Sequence, residues 1–163
     1  MPQKKPTAPF EVVDALLAAY GTNSRINEYM IRNLPREAWR AMTPDGKGRN
    51  IASIVAHMHN VRLMWLKAAQ GFEELSKLEG DDFTPDDAIE ALRASYQPMR
   101  DLIAGSLNGD GRIKGFKPDV ASFLGYLIAH EAHHRGQISM LARQSGHPLP
   151  KSAMFGMWEW GRR

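Results

Sequence analysis

The sequence predicts an all-α, up-and-down four-helix bundle with a short apolar C-terminal tail. Four long segments repeat apolar residues at helical spacing. Capping and breaking residues fall between them, and no stretch alternates apolar and polar residues as a half-buried strand does. The 163 residues suit one domain. With 43% apolar residues, including four Trp, six Phe and nine Met, the chain can fill a core without covalent staples.

The first helix is expected from Phe10 to Leu34, where Val13, Leu17, Tyr20, Ile31 and Leu34 share a face and Pro35 ends the run. Ser24 and Asn27 interrupt that face in mid-helix. Thr43-Pro44-Asp45-Gly46 is turn chemistry, after which Asn50 caps a second helix to about Ala69, closed by Gly71. The third helix has the clearest start. Thr84 caps, Pro85 suits the first helical position, and Asp86 and Asp87 complement the helix dipole. Its buried face is Ile89, Leu92, Tyr96, Met99, Ile103 and Leu107, with a kink expected near Ala94–Ser95 from Pro98. Asp119 caps the fourth helix, which runs to Gln144–Ser145 and stops at Gly146, with Pro148 beyond. The tail, Pro150 to Arg163, carries Met154, Phe155, Met157, Trp158 and Trp160 and should pack on the bundle or on a partner subunit. Residues 1–9 are expected to be a flexible segment before a single domain, 10–163.

Composition removes several classes of function. There is no cysteine, which excludes disulfides, thiolate ligands and a protein-borne thiol nucleophile. The start, MPQKKPTAPF, lacks the apolar run of a signal peptide, and nothing approaches the ~20 apolar residues of a membrane span. A cytoplasmic location without membrane attachment is the expectation. The net charge is +3, but the basic residues are scattered among eighteen acidic ones. No clustered basic stripe marks a nucleic-acid surface.

Chemistry concentrates in the histidines. A helix turns about 100° per residue, so faces can be assigned. With His57 at zero, Ile54, Val61, Met64 and Ala68 fall within about 60° of it, whereas His59 falls near 200° and is expected in solvent. With His130 at zero, Phe123, Leu127, His134 and Leu141 fall within about 60°, Glu131 near 100° and Gln137 near −20°. His133 lies at the edge of that arc, and Arg62 and Arg135 fall about 140° from their reference histidines and read as surface charges. Three imidazoles thus point inward from two helices, provided that those helices touch. A lone buried histidine is usually a hydrogen-bonded core residue. Two at i, i+4 with a third opposite form a metal site without cysteine, three nitrogens leaving a fourth position open.

Residues 130–134, His-Glu-Ala-His-His, also satisfy the HExxH pattern of zinc peptidases, with Glu131 as general base. The longer form requires Gly at 137 and His at 140, where this chain has Gln137 and Met140. No strand is available to align a peptide. The longer string Leu127-Ile-Ala-His130-Glu-Ala-His-His134-Arg135-Gly136-Gln137-Ile138 instead resembles the last-helix signature of the DinB-like (YfiT-like) family. The segment Asn50-Ile-Ala-Ser-Ile-Val-Ala-His57-Met and the ending Phe155-Gly-Met-Trp158-Glu-Trp160-Gly161 are similar to that family as well. The resemblance covers about residues 10–161. It implies a four-helix bundle, metal ligands at His57, His130 and His134, a zinc or nickel ion, and frequent homodimers.

Two metal-based readings follow, beside a third in which the chain is a helical interaction module without metal. One is a metal-dependent transferase or hydrolase acting on a small, thiol-linked or other, substrate. The alternative is a non-catalytic metal-binding or stress-related protein with a structural metal. Glu131 is the candidate proton carrier, with orientation of His130 as its other reading. Gln137, Ser24 and Asn27 are polar positions that either line a pocket or serve packing.

Overall fold

The computed structural model describes residues 9–80 and 82–163. Most of the segment expected to be flexible, residues 1–8, lies outside them. Five α-helices occur among the described residues: α1 (Val12–Asn33), α2 (Ile51–Gln70), α3 (Pro85–Leu107), α4 (Val120–Gln144) and a short α5 (Lys151–Gly156). The all-α bundle is as expected. Asn50 accepts from the Ser53 N–H at 2.8 Å and Asp119 accepts from the Ser122 N–H at 2.8 Å. Thr84 and Asp87 form a reciprocal capping box. Gly71, at φ 71°, ends α2 in the left-handed conformation that a side chain disfavours. α3 continues through Pro98.

The helix order departs from strict alternation. The Trp39 carbonyl accepts from Ala52 at the start of α2, while the Trp39 indole donates to the Phe83 carbonyl just before α3. The two helices therefore start at the same end and run parallel, giving up-down-down-up. The 71–84 connection makes this feasible. Extended chain advances ~3.3 Å per residue, enough to return along a helix of about 35 Å. Asn60 pins the connection by a reciprocal pair of hydrogen bonds with Leu78, 2.9 and 3.0 Å.

Apolar burial divides into two clusters along the axis. One gathers Met30, Ile31, Ile51, Val55, Met58, Ile89, Leu92, Ile138 and Leu141. The other gathers Leu17, Tyr20, Leu63, Leu66, Met99, Ile103, Phe123 and Leu127. Each fully buried aliphatic side chain contributes ~1.5–3 kcal/mol against exposure. Between the clusters, all four long helices contribute polar atoms to one sealed node. The tail docks through α5, where Ala153 and Gly156 are buried and the Arg163 guanidinium lies 3.7 Å above the Tyr29 ring. Phe155 and Trp158 remain 72% and 79% exposed, so their side chains are not what holds the tail.

Candidate metal centre

α2 and α4 run antiparallel and bring His57, His130 and His134 together. His130 Nε2 stands 3.3 Å from His57 Nε2 and 3.1 Å from His134 Nε2, and one nitrogen from each of the three lies within 4.8 Å of the others. Nitrogens bound at ~2.0–2.1 Å to one tetrahedral ion stand about 3.3–3.4 Å apart. The donor set fits. A single ring proton on His130 Nε2 cannot serve both neighbours, whereas an ion can.

The rings are prepared to donate lone pairs. His134 Nδ1–H donates to Gln137 Oε1 at 2.7 Å, which leaves Nε2 unprotonated and aimed at the cluster. Burial, followed by the neighbouring His134 and His57 rings, pushes His130 down to about 4. Burial lowers His57, with help from Arg49, and also lowers His134 against the opposing Gln137 bond. All three are therefore neutral near pH 7. The Tyr126 ring stacks on His130 at 5.9 Å, backed by Trp65, Phe116 and Phe123. His133 is exposed, set edge-on to His134.

The cluster sits at the rim of the bundle rather than in its interior. His57 and His130 are half-buried, while the fully buried series on α2 is Ile51, Val55, Met58, Arg62 and Leu66. That series centres about 140° from His57. Met64, on the histidine side, is 49% exposed. α2 is apolar around most of its circumference, so its pattern does not single out one face.

Three expectations are corrected, the two on α2 by this rotation. Arg62, read as a surface charge, is 0% exposed and pairs with Glu131 through Nε–Oε1 at 2.7 Å and Nη2–Oε2 at 3.0 Å. It also donates to the Leu92 carbonyl at 2.9 Å. His59, expected in solvent, is buried, with Nε2–H donating to the Ser76 carbonyl at 3.1 Å and Nδ1 facing the Ser95 hydroxyl at 3.2 Å. Arg135, also read as a surface charge, donates to the side-chain oxygens of Asn23 and Asn27. Both asparagine amides in turn donate to Glu131 Oε2 at 2.6 Å.

Glu131 is thus placed in the sealed node beside the histidines. Burial alone would raise its carboxyl, but Arg62 and Asn27 hold it below the usual carboxylate range. Of the polar positions singled out in the sequence, Ser24 and Asn27 belong to this node and Gln137 to the histidines. Asn23 and Arg49 carried no pattern of their own. Asn23 was discoverable as the residue one turn before Asn27.

No curated protein matches the chain. The DinB family model matches residues 10–160. It spans all four long helices, both histidine-bearing segments and most of the tail, and the chain belongs to the DinB family.

Proposed function

We propose that the chain binds one divalent metal ion, zinc or nickel, through Nε2 of His57, His130 and His134, and uses it in a transfer or hydrolysis reaction on a small substrate. The convergence of three imidazole nitrogens at 3.1 and 3.3 Å carries this reading. When bound, such an ion supplies Lewis acidity toward a carbonyl, a water or a substrate thiol. Three ligands leave a coordination position for the reacting group. The residues' own part is to orient. Gln137 holds the His134 tautomer, and Tyr126 supports the face of His130.

Glu131 receives a positioning role in this scheme. Its oxygens are engaged by Arg62, Asn23 and Asn27, and its lowered proton affinity makes it a poor acceptor. The same engagement favours the second reading, a metal-binding protein without catalysis, because it removes the nearest carboxylate from proton transfer. Metal analysis of untagged protein, before and after His57→Ala, tests the common premise. One equivalent in the parent and none in the variant is expected; no metal in the parent defeats both readings. Thiol-transfer and ester-hydrolysis assays with and without chelator then separate them.

Two further expectations stand as proposals. No described helix is long and apolar enough to cross a membrane, and we assign the protein to the cytoplasm. We also assign a homodimer, tested by light scattering across concentration.

A further inference from the structure

Toward the C-terminal end of α4 lies a surface cavity of about 340 Å³, linked to the histidine cluster through Gln137. That volume falls within the range of small-molecule pockets. Gln137 belongs to both places, since it lines the cavity and accepts the His134 Nδ1–H bond. Ile54, one turn before His57, lies on the opposite wall's helix.

The charge on the wall has one sign. Lys47 and Arg49 line it, and no carboxylate does so among the described residues. Several cations on other surfaces have acidic partners: Arg32 and Arg93 share Glu28, Lys67 meets Glu73, and Arg162 and Arg163 share Glu159. Asp45 is close in sequence, but its carboxylate is engaged in its own turn by the Thr43 hydroxyl and the Lys47 N–H. Ile54, Met140 and Leu141 give the remainder of the wall an apolar character.

We propose that the substrate of this site is a small molecule with a carboxylate or phosphate group on a short apolar segment. Arg49 and Lys47 hold the anion, Ile54, Met140 and Leu141 cover the apolar part, and the reacting end faces the three imidazoles. The assignment rests on the metal-centre reading above. It makes the loop before α2 the determinant of specificity, separate from the histidines.

The test uses zinc-loaded protein and three probes of equal chain length: hexanoate, hexyl phosphate and the neutral hexanamide, titrated calorimetrically at low salt. One charge-assisted contact more than the amide can make gives a preference of roughly tenfold for an anion. The better of the two anions identifies the group. The double substitution Lys47→Gln and Arg49→Gln, in an exposed loop, should retain zinc and bring anion and amide to within about twofold. Equal binding of hexanamide by the parent overturns the proposal. So does an anion preference that survives the double substitution, which places the anion elsewhere. Zinc stoichiometry on the same samples keeps the failures apart: a parent that holds no zinc defeats the metal centre, and a zinc-loaded parent indifferent to charge defeats only the substrate class.

Discussion

The molecule holds two polar clusters side by side between α2 and α4, and they have been solved in opposite ways. In the inner one, Arg62, Glu131, Asn23 and Asn27 are fully shielded from water and satisfy one another. In the outer one, His57 and His130 are half-buried, and they converge with the buried His134 without a carboxylate among them. A buried ion pair gains little net stability over apolar residues of similar volume, because desolvation offsets the attraction. Its worth lies in direction: one guanidinium and one carboxylate tie α1, α2, α3 and α4 at a single level. The half-open cluster gathers donor atoms that could hold a metal ion. Two adjacent residues, His130 and Glu131, are divided between these tasks by a turn of about 100°.

Breaking the inner pair should have the largest effect. Arg62→Ala leaves the Glu131 carboxylate buried without its cation and should cost ~3–5 kcal/mol in denaturant unfolding. Replacing both partners together, Arg62→Met with Glu131→Leu, should recover most of that loss. A single substitution costing under about 1 kcal/mol would show the node to be more hydrated than its geometry indicates. The outer cluster should behave in the opposite manner. In the parent, zinc at one hundred times its dissociation constant should raise stability by ~2.7 kcal/mol, and His57→Ala should abolish that increment while leaving the metal-free protein nearly unchanged. Gln137→Leu, which removes the acceptor of the His134 Nδ1–H, should weaken zinc binding about 10–100-fold without altering metal-free stability. The smallest effect belongs to a site remote from both. Thr84→Ala should cost ~1 kcal/mol and leave zinc affinity unaltered. The Thr84 backbone and hydroxyl hold Asp87 below its ordinary 3.8. Its contribution is therefore present above that value and lost as pH falls below it, a loss that acid titration should find reduced in the variant.

Much of this was legible in the chain. The four helices were marked by residues whose local chemistry is self-sufficient: Asn50, Thr84 and Asp119 as caps, Gly71 and Gly146 as stops. His130 and His134 could be paired by spacing alone. What could not be read depended on distant partners. Arg62 is assigned to solvent by any reading that does not know of Glu131, 69 positions away, and His59 needs Ser76 and Ser95 before its burial makes sense. The parallel course of α2 and α3 was hidden for a similar reason. The 71–84 connection contains no periodicity, and its contacts with Trp39, His59 and Asn60 reveal where it runs.

The ring stack on His130 has a practical consequence. Trp65 touches Tyr126, which lies flat against that histidine, so an indole chromophore sits two rings from the place where an ion would be held. A paramagnetic ion such as nickel or copper held there quenches nearby indole emission, while zinc does not. With such an ion bound, Trp65 emission would gauge occupancy, and replacing Trp65 with Phe would remove that signal without touching the ligands.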